Sequence, residues 1–168
     1  MLQLAGELTH GGPGHLVALV LVALACAVFL VAGAVLAVTD ARTHRLPNPW
    51  VLTLNAGVIP ALVVAGLLAG DPGRSLRTLV AALAAGALFL LVHLLAPAGL
   101  GFGDVKMVPA LGAIAGCLSW GHVLLAATVA ILLAGVQAAV VLLIKRDRRA
   151  HIAFGPALLL GTALALCV

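Results

Sequence analysis

Leu16–Val38 is a run of 23 residues without one charged side chain. As a helix rising about 1.5 Å per residue it is long enough to cross the roughly 30 Å hydrocarbon core of a bilayer. Five further apolar stretches follow: Trp50–Ala69, Thr78–Leu95, Val105–Leu118, Val123–Ile144 and Ile152–Val168. Val105–Leu118 is the weakest of them, being short and carrying Pro109. Over the whole chain 64% of residues are hydrophobic and 8% charged, against about 45–50% and about 25% in soluble domains. A soluble fold needs far more polar surface than this, so a soluble enzyme is excluded. The expectation is a single all-α domain over residues 1–168, a polytopic integral membrane protein with about six transmembrane helices.

The few charges set an orientation. With the N-terminus outside, the loops after spans one, three and five hold Arg42, Arg45, Lys106, Lys145, Arg146, Arg148 and Arg149, while the outer side receives only Arg74 and Arg77. Cytoplasmic loops are enriched in Lys and Arg, so those three loops belong inside, in the cytoplasmic membrane of the cell. Trp50 and Trp120 then fall at opposite interfaces. The stretch before Leu16 has no Lys or Arg and carries Glu7; a secretory signal begins with a positive region, so the first span is expected to be permanent. The basic residues are too scattered for a nucleic-acid surface. Cys26, Cys117 and Cys167 sit in apolar stretches without a CxxC pair and read as small packing residues.

Only five residues are acidic. Glu7 lies in the N-terminal segment, Asp71 in an outer Asp-Pro-Gly-Arg turn, and Asp147 among the basic residues of Lys-Arg-Asp-Arg-Arg. Asp40 and Asp104 remain. They are 64 residues apart, yet the topology puts both at the cytoplasmic edge of a span. A carboxylate at membrane depth is costly, which makes it a functional candidate. Asp104 ends Gly99-Leu100-Gly101-Phe102-Gly103-Asp104, a loop whose glycines let the backbone approach another segment closely. Asp40 precedes a connector in which Pro47 and Pro49 hold the chain extended. Two carboxyl groups brought together do not both ionise easily, which leaves one neutral acid and one base. Such a pair hydrolyses a peptide bond with an activated water: the base takes the water's proton and the acid polarises the carbonyl. No serine, cysteine, metal or other cofactor is needed.

At these residues the chain resembles the type IV prepilin peptidases, G-x-G-D intramembrane aspartyl proteases. Asp40 followed by Arg45-Leu46-Pro47-Asn48, then Gly101-Phe102-Gly103-Asp104-Val105-Lys106, then Ile152-Ala153-Phe154-Gly155-Pro156 carry the resemblance, with Ala153 where the family usually has proline. The resemblance implies that Asp40 and Asp104 are a catalytic dyad. It also implies that the partners are prepilins or pilin-like membrane substrates, cut at the cytoplasmic face just before an apolar helix. Larger members carry a cytoplasmic domain, often with paired CxxC motifs, associated with N-methylation of the product. This chain resembles the short, peptidase-only form found with tight-adherence pili or archaeal-type preflagellin processing, so cleavage without methylation is expected.

The neighbouring residues have two readings each. Lys106 stands two positions after Asp104, where helical side chains do not face each other, so it reads as an interface anchor more readily than as an ion-pair partner. Arg42 and Arg45 either mark topology or meet lipid phosphate or substrate. Phe154, Gly155 and Pro156 either line the substrate path or pack on the active-site loop. His44 reads as a solvated loop residue or a modulator of the dyad. His93 and Gln137 are expected to hydrogen-bond between helices. If span one ends before Asp40 and span four begins after Asp104, the helix dipoles favour an anion on Asp104 and a neutral Asp40. A small proton-coupled carrier is the alternative function, although it would want its acids near the bilayer midplane. A structural subunit of a secretion assembly would not require both aspartates.

Overall fold

A computed structural model describes residues 13–43, 46–95, 100–145 and 154–167. The described residues form six helices and no strand: α1 (Pro13–Thr43), α2 (Asn48–Leu68), α3 (Pro72–Leu95), α4 (Phe102–Leu118), α5 (Trp120–Lys145) and α6 (Phe154–Ala165). Each of the six expected apolar segments contains one of these helices. Four stretches are long and apolar enough to cross a membrane: Gly14–Thr43, Asn48–Leu68, Pro72–Leu95 and Trp120–Gln137. The 17 residues of α4 and the 12 of α6 fall short of the roughly 20 that a span needs. The described helices therefore provide four full-length candidate spans, where the sequence suggested about six.

The short helix is the central one. From Asp104 to Cys117 every residue of α4 is buried except Lys106 and Pro109, and it packs against α2, α3, α5 and α6. A helix enclosed by protein does not have to match the bilayer thickness, which explains its shortness. Pro109 is accommodated inside α4 with its ring against Gly86 of α3, where a Cβ would come within 3.0 Å of Pro109 Cγ.

Small residues bring α3 and α4 together. A Cβ on Gly112 would lie 2.6 Å from the Ala81 carbonyl oxygen, and one on Gly116 would collide with the Ala81 side chain. Four-residue spacing puts both glycines on one face of α4, the arrangement that lets membrane helices approach at backbone distance. The buried side chains of α1, among the described residues, are Ala18, Val22, Ala25, Phe29, Ala32, Leu36 and Asp40. Their three- and four-residue spacing is the seam of one helix packed along others, here α2 and α6. Asp40 continues this seam and is carried into the protein by the residues before it.

The turns explain the remaining boundaries. After α2, Gly70 adopts φ +72° and the Asp71 amide returns to the Gly66 carbonyl, closing the helix. Asp71 then caps α3, accepting the Arg74 amide at 2.8 Å, with Pro72 at the first helical position. This start lies six residues before the expected Thr78, so Arg74 and Arg77 are helical. Ser119 alone separates α4 from α5; its hydroxyl oxygen accepts the His122 amide at 3.2 Å and caps α5.

Candidate active site

One end of the bundle collects the C-terminus of α1 and the N-termini of α2, α4 and α6. Helix α1 continues to Thr43, so Asp40 belongs to the helix and does not follow it. Asp104 is the third residue of α4, after Gly101 in the extended N-cap position. Each aspartate is 6% exposed, and they are the buried acids among the described residues.

Helix starts explain how both are held. The first amides of a helix have no partner within it. Gly155, in the first turn of α6, gives its amide to Asp40 Oδ2 at 3.0 Å. A Cβ on Gly155 would lie 2.7 Å from that oxygen, so glycine is what lets the α6 backbone reach the carboxylate. The Asp104 amide donates to the Gly101 carbonyl at 3.1 Å, and a Cβ on Gly101 would lie 3.3 Å from Asp104 Oδ2. Asp104 Oδ1 is buried with no hydrogen-bond partner among the described residues. The two carboxylates are close enough for Asp40 to act electrostatically on Asp104. Asp40 therefore stands in the last turn of α1 and also against the first turn of α6, while Asp104 stands in the first turn of α4. The start of α6 opposes the α1 dipole at Asp40 and so weakens the contrast expected from the sequence.

The supporting residues interlock. A Cβ on Gly103 would meet Leu46 Cβ at 2.9 Å, so the α1–α2 connector lies directly on the first turn of α4. Pro47 is the extended N-cap of α2, its carbonyl accepting the Trp50 amide at 3.1 Å. Asn48 and Pro49 are already helical, so only the connector before them is extended. Lys106 is exposed; its Nζ lies 3.3 Å from Asn48 Oδ1 and 4.8 Å above the Phe102 ring. These contacts, and none with Asp104, define its place, as the helical spacing predicts. A groove of about 680 Å³ lies beside Lys106, lined by Asn48, Pro49, Val51, Leu52 and Asn55. Phe154 and Pro156 flank Gly155 in the half-buried first turn of α6. Arg45, His44 and the basic run after Lys145 lie outside the described residues.

Three further residues act on this end or on α4, and sequence reasoning gave none of them that role. Asn55 was visible only as a polar residue tolerated in an apolar span; its Nδ2 bonds the Lys106 carbonyl at 2.9 Å and ties α2 to α4. His93 does hydrogen-bond, as expected of it, but with the Leu100 carbonyl just before α4. Arg77, read as a topology marker, donates to the carbonyls of Gly116, Cys117 and Leu118 at 2.6, 3.1 and 3.0 Å, capping α4 at its far end.

Four helices long and apolar enough to cross a membrane, with two buried acids at one end of the bundle, are the features of a membrane protein. The chain belongs to the type IV leader peptidase family, which it matches over residues 24–140, and is by that membership a protease. The match includes Asp40, Asp104 and the helices between them. No curated protein and no solved structure matches the chain.

Proposed function

We propose that this chain is an aspartyl endopeptidase that removes the leader from type IV prepilins or pilin-like proteins at the cytoplasmic face of the membrane. The observation that carries this reading is the burial of Asp40 and Asp104, from separate helices, at one end of the bundle. One of the pair, as carboxylate, takes a proton from water while the water oxygen bonds to the scissile carbonyl carbon. The other, as carboxylic acid, donates a hydrogen bond to the carbonyl oxygen. Collapse of the tetrahedral intermediate breaks the C–N bond, and the departing amine takes up a proton from the dyad.

The cytoplasmic assignment is supported by charge. Arg42, Lys106 and Lys145 belong to the aspartate end, and Arg74 and Arg77 to the start of α3 at the other. The polar leader lies in the groove between α2 and the start of α4, where Lys106 and Asn48 supply N–H donors to its backbone. Co-expression of a small prepilin with this chain tests the reading, with leader removal followed by gel shift and mass. Cleavage lost in both Asp40→Asn and Asp104→Asn is expected; cleavage that survives in either variant overturns the dyad.

A further inference from the structure

The peptide unit that launches α4 is held from outside. His93, in the last turn of α3, has its Nδ1 2.8 Å from the Leu100 carbonyl oxygen. Its ring also packs on Phe102, centroid to centroid 5.4 Å at a tilt of 42°. The Lys106 ammonium also lies over the Phe102 ring, 4.8 Å from its centroid. The histidine thus grips both the backbone and the side chain of the segment between Leu100 and Phe102.

The position of that grip matters for Asp104. The Leu100 carbonyl belongs to the peptide that enters Gly101. The Gly101 carbonyl in turn accepts the amides of Asp104 at 3.1 Å and Val105 at 3.4 Å. Gly101 has no side chain to restrict its torsions, so its conformation must be imposed by neighbours. A rotation of the Leu100–Gly101 peptide would redirect the Gly101 carbonyl, restart the helix differently and move the Asp104 carboxyl. A displacement of about 1 Å at a reacting group costs about 100-fold in rate.

We infer that His93 is a positioning residue for the Asp104 carboxyl: its Nδ1–H fixes the Leu100 carbonyl and its ring seats Phe102, so that α4 begins with the acid in register with Asp40. This role rests on the peptidase reading above. It requires an imidazole with the proton on Nδ1, because a carbonyl can only accept. His93→Phe keeps a ring but removes the donor. His93→Asn loses the ring but can place an amide N–H where Nδ1 stood.

Two measurements on the full chain in detergent or proteoliposomes test it. In protein labelled with 15N-histidine, the resonance that disappears in His93→Asn should report a protonated Nδ1. In steady-state cleavage of a prepilin, His93→Phe should lower kcat about 10- to 100-fold at unchanged KM. His93→Asn should recover most of the loss. An unprotonated Nδ1 overturns the inference whatever the variants' kinetics. Equal losses in both variants, a change confined to KM, or wild-type kcat in His93→Phe also overturn it. A wild-type chain that cleaves nothing removes the peptidase reading and the catalytic meaning of the contact together, while the NMR signal still shows whether the Leu100 contact exists.

Discussion

The two ends of α4 are held in opposite ways. At the far end, one guanidinium satisfies the carbonyls of Gly116, Cys117 and Leu118, which the helix itself leaves open. Nearby, Asp71 pairs with Arg74 at 3.3 Å, and the Ser75 hydroxyl donates to the Val63 carbonyl at 2.8 Å. At the near end, a buried carboxylate oxygen of Asp104 has no hydrogen-bond partner among the described residues, and a second carboxylate stands close by. Buried polar groups are satisfied where only stability matters, since an unpaired one costs free energy. The far end reads as an anchor. The near end retains unspent hydrogen-bonding capacity, which is what a site for water and a scissile carbonyl needs.

The sharpest way to break this contrast is at the acids. Asp40→Asn and Asp104→Asn should each lower the cleavage rate by about 1,000-fold or more, since both proton-transfer roles need an ionisable group. Neither should lower the thermal midpoint by much, because asparagine keeps the size of the side chain and an oxygen that accepts a hydrogen bond. A large drop in the midpoint would mean that the near end is structural as well. Gly155→Ala comes next. Its Cβ would press on Asp40 Oδ2 from 2.7 Å, and kcat should fall about 100-fold with the fold retained. Circular dichroism beside the cleavage assay separates the two effects.

At the anchor the expected signs reverse. Arg77→Gln should lower stability by about 2 kcal/mol by stranding helix carbonyls, while kcat per folded molecule stays that of the wild type. Denaturation in mixed micelles measures the first, and active-site-normalised cleavage the second. A kcat that fell with stability intact would transfer Arg77 to the catalytic machinery. The smallest effect is expected at Lys106→Gln. The residue is exposed, and its bond to Asn48 is long at 3.3 Å. A rise of about threefold in KM with little change in kcat would fit a hydrogen bond to substrate.

Much of the architecture was legible in the sequence. Bilayer hydrocarbon offers the backbone no partners, so an apolar run of span length has to be helical. Six apolar runs correspond to the six described helices, four of them of span length. The charges were so few that removing the three ordinary acids left Asp40 and Asp104, and the structure buries both at one end. The motif residues Gly101, Gly103, Asn48 and Gly155 also arrive there. Helix α4 was the hardest to read. It looked the weakest span because hydropathy rewards length, whereas its shortness follows from being enclosed by other helices.

The sequence by itself determined which segments are helical and which two acids stand apart from the rest. Tertiary structure alone decided how each helix is rotated and which neighbour it meets. In these helices the face toward protein and the face toward lipid are equally apolar, so no hydrophobic stripe announces a buried side. Gly112 and Gly116 on Ala81, Gly155 on Asp40, Arg77 on the end of α4 and His93 on Leu100 are all consequences of that rotation. The same rotation brings the start of α6 to Asp40, where its dipole opposes that of the α1 C-terminus. Composition places a carboxyl near a membrane edge; only the packing of four helix ends turns two of them into a pair.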